Sequence, residues 1–491
     1  MRILINCVFL FASLFSFGQN CFYKLYSGNG FDKGEGIVQL EDSTYVITGS
    51  SSSWTESSQA FLLHLDTAGN YISSQHYGGA ESEEGKRVLY NHDLGYYIAG
   101  FSNSFSGGDF DAYLTRVDLQ GNQLWQKTYG TDNWERINDA VFAKDSSIIM
   151  VGESKSVNGQ GSDIFMIRTD RNGEVIWSKT FGSIGDDVAN SIIRVQDSLL
   201  FVAGNYFVAD SNLTKGFVMR INLLGDSIWM RIAGNKHGNY NINDLAHRED
   251  RIFTVGTSYS TESNQDEYAG SYDFNGGLMF QNTISDSPGE SDNTLYDQAL
   301  YVLTGDKVAI ANRTINSGTF QDDYDVTIGY YDSNYQYWMG QATTIMNEKL
   351  DKANDMITTS DGGYICVGFN TSLGNSQFTE NGGCNIFVMK VKPTGSFYPN
   401  TQNIFTYNQL VGIQEEESII KFSVYPNPFQ NNISIHLNES TSYEATIIDL
   451  LGNVIEKIEI KNDSFLDLNH LKDGTYFIQI NNKILPIIKL N

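Results

Sequence analysis

The chain of 491 residues is poor in proline, cysteine and basic side chains. Each shortage excludes something. Six prolines, five of them from Pro393 onward, leave most of the chain free of ladder breakers. Four cysteines are too few for a disulfide-stapled scaffold, and without Cys7 the remaining Cys21, Cys366 and Cys384 are odd in number. Free or buried thiols are expected. Lys and Arg total 32 against 58 Asp and Glu, a net charge of −26. Nucleic acid is therefore excluded as a partner, because phosphate binding needs clustered cations. Past Phe17 no run is apolar enough to cross a bilayer, so the mature chain is expected to lack a transmembrane segment. No segment has the pattern of a long amphipathic helix.

Catalytic and cofactor signatures are missing as well. There is no Gly-x-Ser-x-Gly elbow, no phosphate-binding Gly-x-x-x-x-Gly-Lys and no Cys-x-x-Cys. The histidines at 64, 76, 92, 237, 247, 436 and 470 have no metal-ligand spacing. No cofactor and no metal are expected. Glycoside hydrolysis needs only two carboxylates a few ångström apart. A chain this acidic keeps that reaction open.

What is present begins at the N-terminus. Arg2 precedes an apolar run from Ile3 to Phe17, and Ser16 and Gly18 stand at −3 and −1 of a cleavage point. This is the pattern of a secretory signal peptide over residues 1–18. The run is about 15 residues, short of the ~20 that span a membrane. Gly18-Gln19-Asn20 before Cys21 does not suit lipid attachment.

From residue 19 to 398 the chain repeats. A glycine closes an apolar run at Gly49, Gly100, Gly152, Gly204 and Gly256, about every 52 residues, and more loosely at Ala311 and Gly368. Each unit holds four short runs rich in Val, Ile, Phe, Tyr and Thr, separated by Asp-x-x-Gly turns, which predicts four strands joined by hairpins. Such units repeated radially form a β-propeller, and a linear solenoid would use shorter units with capped ends. Residues 21–28 match a fourth strand, and 385–395 match a third strand with its turn. The chain thus starts with the strand its last unit lacks. The expected fold is all-β: a seven-bladed β-propeller with terminal-strand closure, plus a small C-terminal β-sandwich. The last blade combines 353–370, 385–391 and 21–27. A ring of this kind is expected to be monomeric.

Three sets of candidate residues follow. Phe22, Trp125, Trp177 and Trp229 recur at one strand position, and packing between blades explains them better than a ligand platform. A carboxylate recurs eight residues after the start of the KTYG-like tetrad, at Asp32, Glu83, Glu135 and Asp187, and at Asp351 in the looser seventh unit, in the connection that leads into each unit. These acids either cap backbone N–H groups of their own loops or form an acidic rim. The loops between second and third strands are long and unlike one another, and binding concentrates in such loops. Trp54, Phe105 and Phe378 are the aromatic candidates there.

Composition changes near Tyr398. Residues 399–420 match no repeat and read as a linker, and 421–491 has the period-2 runs of a β-sandwich. Tyr425-Pro426-Asn427-Pro428, Asp449 with Gly452, Gly474 with Tyr476, and a terminal strand with Lys489 resemble the C-terminal sorting domain of the type IX secretion system. The resemblance implies the type IX machinery as a partner and a product that is secreted or attached to the outer cell surface. The Asp-x-x-Gly-x-x-x-Trp segments resemble tryptophan-docking repeats of quinoprotein propellers, which supports the fold alone. Two functions stay open. One is a binding or adhesion protein with an extracellular glycan or protein as ligand. The alternative is a hydrolase of polysaccharide or peptide using loop carboxylates.

Overall fold

The computed structural model describes residues 21–28, 30–55, 57–105, 109–155, 161–235, 237–259, 265–284, 300–304, 307–315, 324–332, 338–344, 351–370, 384–391, 408–409, 422–425, 429–437, 442–449, 454–461, 464–480 and 483–490. The expected signal peptide, Phe378, Pro426, Asn427, Pro428 and Gly452 lie outside them. Among the described residues every regular element is a strand. The chain divides into two compact units, 1–412 and 413–491.

The first unit is a series of antiparallel sheets whose strands pair in chain order, a propeller-like arrangement. The first sheet is Asp32–Gln39, Tyr45–Ser51, Gln59–Leu65 and Tyr71–Tyr77. The second is Glu83–Asn91, Gly95–Ser102, Asp111–Val117 and Gln123–Tyr129. The third is Glu135–Phe142, Ile148–Lys155, Ser162–Thr169 and Val175–Phe181. The fourth is Val188–Val195, Leu199–Val208, Leu213–Ile221 and Ser227–Ala233. The fifth is Asn239–Arg248, Arg251–Tyr259, Gln265–Asp273 and Leu278–Ile284, and the sixth is Leu300–Thr304, Lys307–Ile315, Tyr324–Asp332 and Trp338–Thr344.

The seventh sheet joins both ends of this unit. Its order is Asp351–Thr358, Tyr364–Asn370, Asn385–Val391, Phe22–Ser27 and Asn408–Gln409. Leu25 pairs with Phe387 and Phe22 with Lys390 in an antiparallel ladder. The short strand Asn408–Gln409 falls where the sequence reads as linker, and it pairs parallel with Tyr26 and Ser27. The outer edge of Phe22–Ser27 offers unpaired backbone groups, which an added strand satisfies.

The sheets pack face to face through apolar second and third strands, such as Ile148–Lys155 against its neighbours. The first strands of successive sheets touch, and that of the seventh touches that of the first. Fourth strands are half exposed, with Leu124, Ile176 and Ile228 open to solvent.

One lock recurs between neighbouring sheets. In the hairpin after a third strand, Gly173 has φ +77°, and a Cβ there would lie 2.8 Å from Trp125 of the preceding sheet. The Tyr129 hydroxyl donates to the Gly173 carbonyl at 2.8 Å, and Lys127 Nζ donates to Glu174 at 2.6 Å. Trp177 sits likewise on Gly225 and Trp229 on Gly276. Between the seventh sheet and the first, Phe22 lies on Gly69 (φ +73°), Tyr26 donates to the Gly69 carbonyl at 2.5 Å, and Lys24 donates to Asn70 at 2.6 Å. Only glycine accepts both the left-handed backbone and the ring at such distances.

In the second unit a three-stranded sheet (Phe422–Tyr425, Asn432–Leu437, Ser464–Asp467) accompanies a four-stranded one (Val454–Lys461, Ser442–Ile448, Gly474–Ile480, Lys483–Lys489). Their core includes Phe429, Ile433, Ile447, Ile478 and Ile487.

Deleting residues 20–27 removes the fourth strand of the seventh sheet and the lock on Gly69. Size-exclusion chromatography with light scattering is expected to find oligomers or aggregate in place of a monomer, and the melting temperature to fall by more than 10 °C. A monomer of unchanged stability would contradict the closure.

Candidate functional site

The recurrent carboxylates begin the first strands. Asp32, Glu83, Glu135 and Asp351 are the first residues of their strands, and Asp187 directly precedes Val188. This differs from the sequence expectation of a free connection. The cause is pairing: Asp32 is already opposite Ser51, and Glu83 opposite Ser102.

Asp32, Glu83, Glu135 and Asp187 are all buried, and their side chains hold loops together. Asp32 accepts from Gly28 N–H at 2.7 Å, from Ser53 Oγ at 2.8 Å and from Ser51 Oγ. Burial pushes its carboxyl up, and these three bonds oppose the shift. Glu83 accepts from Gly79 N–H at 3.0 Å and Ser102 Oγ at 2.7 Å. Both oxygens of Glu135 are taken by Thr131, at 2.9 Å each. Asp187 accepts from Phe207 N–H at 2.6 Å and from Ser183 N–H. Each acid ties the loop that enters its sheet, and Asp32, Glu83 and Asp187 also tie their second strand or the loop after it.

Trp54 is half-buried and stacks on His76, with ring centroids 5.4 Å apart, while also packing on Phe61 at 5.8 Å. Phe105 is 43% exposed, with its ring tip against Gly79. Cys366 and Cys384 are free thiols. Burial pushes the Cys366 thiol up to about 12 and raises that of Cys384, so neither is a nucleophile at neutral pH.

The sequence reading missed a charged cluster on the first strands. Bulges occur at matching places, between Gly34 and Gly36, Gly85 and Arg87, Ile137 and Asp139, Ala189 and Ser191, Ile242 and Asp244, and Ala353 and Asp355. A bulge re-aims the side chain that follows it. Arg87 Nη1 lies 2.9 Å from Asp355 and its Nε 3.4 Å from Asp139, so one guanidinium of the second sheet bridges the third and the seventh. The first sheet has Gly36 at this register, and a Cβ there would lie 2.8 Å from the Lys86 carbonyl. Asp139 also accepts from Ile192 N–H at 2.8 Å and Asp355 from Ile37 N–H at 2.9 Å, each in the following sheet. The bulge residues Asn138, Asn190 and Asn354 donate to Ala189, Ile242 and Gly34 carbonyls. Asp244 accepts from Leu245 N–H and Ser191 Oγ. Burial, then the charges of Asp139 and Asp355, push its carboxyl up to about 7. A sequence signal existed four residues after the recurrent acids, where Arg87, Asp139 and Asp355 stand. Among the described residues no group of three or more His, Cys, Asp or Glu is placed to hold a metal ion.

A second cluster lies between the second and third sheets. The Arg136 guanidinium carbon stands 5.0 Å from the Phe110 ring centroid, 5.3 Å from Phe101 and 5.5 Å from Trp134. Asp111 follows Phe110 and is buried. Burial and the charge of Glu135 push its carboxyl up to about 6.

In the second unit Lys489 is buried, donates to the Gln430 carbonyl and covers the Phe429 ring at 5.6 Å. Tyr476 donates to the Lys472 carbonyl at 2.9 Å, Asp449 is half-buried, and Tyr425 is exposed.

Residues 423–489 match the family described as the secretion system C-terminal sorting domain. The chain carries a type IX sorting domain, and the protein is secreted or attached to the cell surface. No curated protein matches the chain in sequence. Among solved structures it is similar to PorZ, a surface component of the type IX secretion system of Porphyromonas gingivalis. The TM-score is 0.35 at 10% identity, covering 96% of this chain and 60% of PorZ. It is similar to the Dos1 propeller (TM-score 0.43, 9% identity, 78% of this chain and 98% of that one). It is also similar to the polysaccharide lyase Uly1 (0.43, 8%, 73% and 90%). At these scores none of the three bears on function.

Asp244 yields a pH test. Its folded pKa lies above its unfolded one, so its contribution to stability is greatest below the unfolded pKa and is lost as pH rises through about 7. Asp244→Asn keeps the acceptor and removes the ionisation. Thermal melts at pH 8 are expected to place the variant several degrees above the natural protein, with the gap closing toward pH 4. A variant less stable at pH 8 would refute the assignment.

Proposed function

We propose that the first unit is a closed seven-bladed β-propeller that acts outside the cell as a binding or adhesion module. The carrying observation is the use of the recurrent acids: Asp32, Glu83, Glu135 and Asp187 are spent on their own loops. A rigid ring results, which suits presentation of unlike loops to a ligand. Repetition of the glycine lock at Gly69 supports closure and a monomeric state. Residues 1–18 serve Sec export, 399–420 join the two modules, and 421–491 carry the folded ring to the type IX machinery. The ligand is an extracellular glycan or protein.

Hydrolysis is the second reading, and Asp111 favours it. A carboxyl raised to about 6 beside Glu135 has the character of a general acid. Against it, both Glu135 oxygens already accept from Thr131. The binding reading needs no free carboxylate pair.

Removing residues 421–491 is expected to leave the propeller folded, with its melting temperature within a few degrees, and to strand it in the periplasm. Fractionation of the producing cells checks this. Efficient secretion of the truncated protein would end the sorting reading.

A further inference from the structure

The junction between the second and third sheets breaks the repeat at the face where the varied loops lie. Three positions line each junction there: the residue after the repeat glycine, the residue before the third strand's first polar position, and the residue before the capping acid. Between the first and second sheets they are Ser50, Ser58 and Ser82. Between the third and fourth they are Glu153, Ser162 and Asp186. Between the second and third they are Phe101, Phe110 and Trp134, and the three rings surround Arg136. The pattern recurs in part where the seventh sheet meets the first, with Phe369 and Phe31 at two of these positions and Lys33 over Phe369, but the junction of the second and third sheets adds a third ring, Phe110 in place of Cys384.

Its polar groups are incompletely used. Arg136 Nε and Asp111 Oδ1 are buried without hydrogen-bond partners. An unmet buried donor or acceptor is destabilising, and its presence in a native fold marks a position that packing alone does not explain. Arg136 is half-buried and Trp134 half-buried, so a ligand at the surface reaches both. Glu153 stands opposite Arg136 across the strand pair.

We propose that this junction is a binding site for a neutral glycan, with Trp134 stacking on a sugar ring and Arg136 and Glu153 bonding its hydroxyls. The chemistry selects that class. Sugar rings have apolar C–H faces for aromatic side chains and hydroxyls that both donate and accept. A cationic ligand is opposed because the guanidinium already fills the space between the rings. An anionic one is opposed by Asp111, Glu135 and Glu153 around a single arginine, within a chain of net charge −26. The assignment rests on the binding reading above and gives it a place and a ligand class.

The test uses the full-length protein and immobilised cellohexaose, xylohexaose, laminarihexaose and mannohexaose, with hexagalacturonate as the acidic comparison. At least one neutral oligosaccharide is expected to bind. Trp134→Ala and Arg136→Met are expected to weaken it tenfold or more, and the fourth-strand surface changes Ile176→Ala and Ile228→Ala less than twofold. Arg136→Lys guards against misfolding, since Lys33 stands over Phe369 at the same register, 5.5 Å from the ring centroid. It keeps the charge without the planar fork and is expected to weaken binding three- to tenfold at an unchanged melting temperature. Binding that survives Trp134→Ala and Arg136→Met overturns the site while the binding reading stands. Preference for hexagalacturonate, or no binding to any neutral oligosaccharide, overturns the ligand class. Cleavage of the oligosaccharides overturns the binding reading itself.

Discussion

An aromatic ring seated on a left-handed glycine is the contact on which the first unit depends. A sheet with one apolar face is not stable alone, and here each has two neighbours to satisfy. The ring of one fourth strand covers the hairpin of the next sheet, where a Cβ at Gly173 or Gly225 would fall 2.8 Å from tryptophan carbon. Burying such a ring is worth about 4 kcal/mol at ~25 cal/mol per Å² over ~150 Å². The accompanying tyrosine hydroxyl adds about 1 kcal/mol. The glycine and the aromatic residue therefore recur together at Gly69, Gly173, Gly225 and Gly276, while Gly121 meets Gln75 instead. Phe22 makes the same contact on Gly69, so the junction of the seventh sheet with the first uses the chemistry of the others.

The inner strands solve a different problem. Their backbones converge, and side chains of full size would collide there. Bulges turn one residue per strand toward its neighbours, and small or paired groups occupy those positions. Gly36 leaves room for the second sheet, and Arg87 spans from there to Asp139 and Asp355. A half-buried guanidinium held by two buried carboxylates gains little net stability over an apolar substitute, but loss of the guanidinium leaves two carboxylates facing each other. The arrangement thus specifies which sheets meet more than it strengthens them.

Period and turn chemistry were legible in the amino-acid order because they repeat. The glycine register, the Asp-x-x-Gly hairpins and the match of 21–28 to a fourth strand all come from one 52-residue rule. The sorting module was legible for a different reason, since its motif residues keep a fixed order. Features that break the rule were harder to read. Arg87, Asp139, Ser191 and Asp244 share a register but not a residue type, and a search for recurrence passes over them. Arg136 was hidden for the same reason, since its three aromatic neighbours come from separate segments. Trp54 was picked for its loop, yet it stacks on His76, because a large ring at a strand end finds apolar cover close by.

The borrowed fourth strand also bears on the order of events during synthesis. Residues 22–27 emerge early, and their partner Asn385–Val391 emerges only when the unit is nearly complete. Until then residues 22–27 have no partner in that ladder, and the seventh sheet cannot form. Formation of this sheet is therefore among the last steps open to the unit as it is made, and it joins the earliest of the described strands to one of the latest.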